Sequence, residues 1–207
     1  MIQAIIQSIQ DHPILYSIVA VLIVLCVFAW RKAMRASARR NAGRDATIAQ
    51  WKEYHALRRE FATPTPEQVA AAEPVRLIAG LCANVQHHLE ESDDPDAVFA
   101  AMPQPAQFAY ALGYVLEDGA EQLSNFFRRN GPPLTDIALQ AAQSLLPADF
   151  ADVFGVLLAI HNGTATDNAG DIPALDDRAR SLIQHTQFWH VAQAYFLENI
   201  VVFTHNP

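Results

Sequence analysis

The chain has 207 residues, 51% of them apolar and 17% charged, with a formal net charge of −8. It is long enough to bury a core without disulfides or metals and too apolar for a disordered chain. Two cysteines exclude a disulfide scaffold, and the acidic balance excludes a basic nucleic-acid binder, so no direct DNA or RNA binding is expected.

The charge is unevenly placed. Residues 31–60 hold nine Lys/Arg against three Asp/Glu, a net of +6, whereas residues 61–207 hold five Arg, no Lys and eighteen Asp/Glu, a net of −13. Both lysines of the chain, Lys32 and Lys52, fall in the basic part.

After a short N-terminal segment (1–13), residues Ile14 to Trp30 form an uncharged apolar run of seventeen. As a helix this rises about 26 Å, near the lower limit for crossing ~30 Å of hydrocarbon. Tyr16 and Trp30 stand near its ends, where aromatic rings favour the membrane interface. A cleaved signal peptide is the rival reading, but that wants basic residues before the run, and here Arg31 and Lys32 follow it while 1–13 has no Lys or Arg. The run is therefore read as an uncleaved transmembrane helix over 14–30. The positive-inside rule puts the N-terminus outside and the rest in the cytoplasm, a single pass through the inner (cytoplasmic) membrane. The cationic stretch Arg31–Arg44 is expected to lie on anionic lipid; a DNA-binding reading of it is weakened by its start at the membrane edge.

Residues 31–61 read as a basic juxtamembrane helix and 62–73 as a Pro/Thr linker, leaving 74–207 as an acidic all-helical domain. Within it, Leu77, Ile78, Leu81, Val85 and Leu89 make one helical stripe behind Pro74. Asp94-Pro95 is an N-cap and first-position proline. Phe108, Leu112, Val115 and Leu116 follow, then a segment from Gly119 to Arg129 stopped by Asn130-Gly131-Pro132-Pro133. Thr135 reads as a cap for Ala138, Ala141, Ala142 and Leu145. Phe150, Val153, Phe154, Leu157 and Leu158 end at Asn162-Gly163. Leu175, Ala179, Leu182 and Ile183 mark another helix, with Asp176 or Asp177 suiting its start, and Trp189 to Phe203 the last. Only Phe196–Phe203 is confusable with a strand. The fold class is all-α.

No Gly-rich phosphate loop, serine elbow or dinucleotide fingerprint occurs, so no catalytic residue and no cofactor is assigned. Cys26 lies in the apolar run and Cys82 on an apolar helix, where a thiol is usually a small hydrophobe. His87-His88 beside Glu90-Glu91 offers two metal ligands on a face without a third. His161, His185 and His190 are scattered. Asp167 to Asp171 lacks the alternation of a calcium loop and reads as Asx turns.

Acid is the stronger signal. Glu90, Glu91, Asp93, Asp94 and Asp96 place five carboxylates in seven residues, and Asp167, Asp171, Asp176 and Asp177 form a second group. Asp94 has a capping role, but Glu90 and Glu91 end a helix where the macrodipole disfavours negative charge. Glu90, Glu91, Asp93 and Asp96 are the candidate partner-binding residues; plain solubility is the competing account.

The segment EDGAEQLSNFFRRNG (Glu117–Gly131), the following DIALQAAQSLL, and the close Phe188–Asn206 resemble a helical bacterial family founded on a DNA-mimic protein. Gly119, Gln122, Phe126, Phe127, Asn130 and Gly131 stand at the pattern positions, over a likeness spanning residues 75–206. Ala120-Glu121 and Arg128-Arg129 depart from the pattern, as does the apolar run. The resemblance implies an all-helical fold and, by its founding member, occupation of a DNA-binding protein through mimicry of phosphate charge. The expected function is a membrane-anchored acidic module that binds a basic protein. The alternatives are a membrane-tethered metal-dependent hydrolase using His, Asp and Glu, and a toxin-neutralising protein covering a cationic site.

Overall fold

The computed structural model describes residues 47–165, 171–184 and 186–204. The run Ile14–Trp30, the stretch Arg31–Arg44, Cys26, Asp167 and His185 lie outside the described residues. Among the described residues no strand occurs and no helix is long and apolar enough to cross a membrane. The chain divides into Met1–Lys52 and a compact unit, Glu53–Pro207.

The helices are α1 (47–60), α2 (Pro66–Ala71), α3 (Pro74–Glu90), α4 (Pro95–Ala101), α5 (Gln104–Gly119), α6 (Leu123–Arg129), α7 (Leu134–Leu145), α8 (Ala148–His161), α9 (Ile172–Ile183), α10 (Thr186–Glu198) and α11 (Val201–Thr204). Proline sets most of their starts. It occupies the first or second position of α2, α3, α4, α5 and α9, and Pro133 and Pro147 immediately precede α7 and α8. Its fixed φ suits the first turn, and its missing N–H is one that a helix start leaves unpaired anyway. Side chains finish several caps. Glu73 accepts from the Val75 and Arg76 amides, Asp94 accepts from the Ala97 amide, and Thr65 with Gln68 closes a capping box.

Helix α5 is the hub, packed against α3, α6 and α7, while α8 joins α6, α7 and α9, and α10 lies on α2 and α3. Every residue of the Leu77–Leu89 stripe is buried, as are Phe108, Leu112 and Val115 on α5 and Phe150, Val153, Phe154, Leu157 and Leu158 on α8. Aromatic rings fill the centre. Phe154 meets Phe127 at a centroid distance of 4.8 Å, Phe150 meets Phe188 at 5.0 Å, and Phe188 meets Trp189 at 4.8 Å, all edge-on. Two glycines allow close approach: a Cβ on Gly113 would overlap the Cys82 side chain, and one on Gly80 would overlap the Phe61 ring.

Several expectations change. The stretch 62–73 holds a helix, α2, whose Val69 is 1% exposed. Phe61 just before it is 1% exposed, so these residues belong to the core. Gln193, buried on α10, clamps the end of α2 by donating to the Val69 and Ala72 carbonyls, both at 2.8 Å. The Gly119–Arg129 segment is two pieces: Gly119 ends α5 and α6 begins at Leu123. Thr135 is no cap but lies buried in the first turn of α7, behind Pro133. Asp176 sits within α9 at 3% exposure rather than at its start. It accepts from the Ser124 amide at 2.8 Å and the Ser124 hydroxyl at 2.7 Å, and so caps α6 from another helix. Phe196 lies on α10, and Phe203 on the short helix α11 that follows; neither is in a strand.

Phe154→Ala should destabilise the unit by about 3–5 kcal/mol, read by denaturant unfolding. A chain beginning at Glu53 should fold cooperatively. One beginning at Thr65 loses the Phe61 ring and should melt measurably lower by circular dichroism, and equal melting would show that Phe61 is not part of the core.

Candidate partner-binding groove

Of the candidate carboxylates, Glu90 ends α3, Glu91 is its C-cap, Asp93 is in the following turn and Asp96 is in the first turn of α4. All four are exposed. Glu90 Oε1 accepts from Gln86 Nε2 at 2.9 Å, and Glu91 Oε1 lies 3.3 Å from His87 Nε2. The arginines of the acidic region pair elsewhere: Arg76 with Glu53 and Glu60, Arg129 with Asp118, Arg178 with Asp149, Arg180 with Asp177, and Arg128 with Asn125. No arginine or lysine among the described residues forms an ion pair with the 90–96 run.

The run borders a groove of about 670 Å³. Glu90, Asp96 and Pro95 line it from α3 and α4, Tyr110 and Tyr114 from α5, Gly131 to Pro133 from the turn before α7, and Leu134 from the start of α7. Tyr110 and Tyr114 are half-buried with ring centroids 4.9 Å apart, and the Tyr110 hydroxyl donates to that of Tyr114 at 3.4 Å. Phe99 stands 5.2 Å from Tyr110. Burial raises the pKa of both tyrosines, and the charge on Glu90 adds to the shift of Tyr110. Glu91 and Asp93 fall outside the groove lining. A smaller, apolar hollow of about 460 Å³ lies between Met102, Pro103 and Val201.

The six motif residues do not converge on a site. Phe126 and Phe127 are core residues, and Gly119 is buried at the end of α5. Gln122 precedes α6, and Asn130 caps its end while donating to Asp118 at 2.9 Å. Gly131 alone reaches the groove. Among the described residues no group of three or more His, Cys, Asp or Glu is placed to hold a metal ion. His87 faces Glu91, His190 meets Gln193 within α10, and His161 ends α8. Cys82 is 7% exposed with its thiol toward the Tyr110 carbonyl, and burial pushes its pKa up to about 12. It packs against Gly113 as a small buried side chain, and burial keeps its thiol protonated. The tyrosine pair escaped the sequence reading. Its signal was the four-residue spacing of Tyr110 and Tyr114, one helical turn apart.

No protein-family model, curated protein or solved structure matches this chain.

The raised groups set a pH response. Cys82 moves from 9.0 to about 12 and Tyr54 from 10.0 to about 12, each mainly through burial. Both are neutral when folded, so their contribution is full below pH 9.0 and falls as the unfolded chain ionises, through about pH 12. Melting temperature should therefore drop across that window. In a Cys26→Ser chain, Cys82 should resist a thiol reagent at neutral pH until denaturant is added; rapid labelling of folded protein would overturn its burial.

Proposed function

We propose that the chain is a single-pass inner-membrane protein whose acidic helical unit faces the cytoplasm and captures a basic protein through the 90–96 carboxylates. The anchor is the run 14–30, with the N-terminus outside and Arg31–Arg44 on anionic lipid. The mode of capture is that of a DNA mimic: fixed carboxylates offered to a surface built for phosphate. One observation carries the reading: the arginines of the acidic region are matched with other partners, and among the described residues the exposed 90–96 run has no Arg or Lys ion pair, only His87 beside Glu91. Uncompensated charge of one sign steers oppositely charged partners and speeds encounter.

Replacing Glu90, Glu91, Asp93 and Asp96 by Gln or Asn should leave folding intact, since exposed charges contribute little to stability. Capture from lysate should weaken with the substitutions. It should also weaken as added salt shortens the Debye length from ~10 Å at 0.1 M toward ~3 Å at 1 M. Capture indifferent to both would leave the acid to solubility. A reporter active only outside the cytoplasm, fused after Pro207, should be silent; activity there would reverse the orientation.

A further inference from the structure

We propose that the groove between α3, α4, α5 and the 131–133 turn seats an arginine carried on an extended, proline-containing segment of the partner. This rests on the reading of the 90–96 run as the partner-binding face and narrows it to one chemistry.

The floor supplies the first half of the recognition. Phe99, Tyr110 and Tyr114 make a continuous ladder of rings, with centroid steps of 5.2 Å and 4.9 Å. Phe99 is buried, and the two tyrosines are the half-exposed members. Carboxylates supply the second half, because Glu90 and Asp96 line the same groove. Among the described residues Glu90 is engaged by the neutral amide of Gln86 and by no Arg or Lys, so this hydrogen bond leaves its charge uncancelled. A guanidinium meets both demands together. It lies flat on a tyrosine face while its edge N–H groups donate to a carboxylate. An ammonium offers charge without the planar stacking face and is the poorer fit. A phosphate, a nucleic acid or an acidic chain is repelled by Glu90 and Asp96.

The walls specify how the arginine is presented. Pro95, Pro132 and Pro133 line the groove and bring no backbone N–H to it. An incoming strand therefore finds few donors to pair with there. A segment in the polyproline conformation needs none and packs on rings and prolines. A volume of about 670 Å³ exceeds one side chain and leaves room for the flanking residues.

The test uses the full chain in detergent, titrated by fluorescence anisotropy with a labelled peptide of alternating Pro and Arg and with its Pro-Lys and Pro-Glu counterparts. The Arg peptide should bind best and the Glu peptide not at all. Glu90→Gln with Asp96→Asn should weaken the Arg peptide about tenfold or more. Tyr114→Leu should reduce its affinity to that of the Lys peptide, while Tyr114→Phe, which keeps the ring, retains the preference and controls for misfolding. Glu91→Gln with Asp93→Asn, outside the groove, should change affinity by less than about twofold at moderate salt. Equal losses from both carboxylate pairs with no effect of Tyr114→Leu would overturn the groove and leave a diffuse acidic face. No binding of any basic peptide at low salt would overturn both readings. Binding seen only after Arg31, Arg35, Arg39, Arg40 and Arg44 are changed to Gln would make the chain's own basic segment the occupant and overturn the partner.

Discussion

The close approach of α3 and α5 governs the rest of the structure. Gly113 lets the Cys82 side chain fill the space where a Cβ would stand, so these two helices, the longest among the described residues, meet nearly backbone to backbone. α5 also supports α6 and α7, and so its position fixes the floor of the groove and the turn that closes it. The tyrosine ladder on α5 and Glu90 on α3 belong to elements whose spacing is set by that one contact. Cores tolerate volume changes poorly because neighbouring atoms already touch, and the site inherits this rigidity.

Short helices need a second device. An isolated six- or seven-residue helix is unstable by itself, and here buried polar side chains from distant helices supply the missing partners. Asp176 satisfies the start of α6, and Gln193 satisfies the end of α2. Asn84 donates to the Phe61 carbonyl at 2.7 Å and so ties the turn after α1 to α3. Asp176 and Gln193 are polar groups matched inside the core, where an unmatched one would be costly, whereas Asn84 is only partly buried.

The helical stripes were legible because burial follows the 3.6-residue period. Leu77 to Leu89 alternates correctly along α3, and prolines mark the starts without reference to any distant residue. Phe61 and Val69 were hidden because Thr and Pro dominate their neighbourhood, and composition says nothing of two side chains that reach a core built by α3 and α10. Asp176 was hidden for a different reason. Its partner Ser124 lies 52 positions away, so local charge pattern reads it as surface. Of the four carboxylates singled out from the sequence, Glu90 and Asp96 line the groove and Glu91 and Asp93 do not, and the aromatic floor was not legible at all. Tyr110 and Tyr114 become a ladder only when α4 brings Phe99 to them.

The 90–96 run also separates into residues that the fold uses and residues that it does not. Asp94 caps α4, and Asp96 stands in the first turn of that helix, where the dipole favours an anion. Glu90 and Glu91 end α3, where the dipole disfavours one, and only His87 and His88 precede them as basic residues in that last turn. A surface that needed acid for dispersion alone has many neutral places to put it. Here Glu90 occupies an unfavourable helix end and lines the groove beside Tyr110 and Tyr114. Asp96 reaches the same groove from a helix start. Two carboxylates with opposite effects on helix stability thus share one aromatic hollow, a convergence that dispersal of charge over the surface does not require.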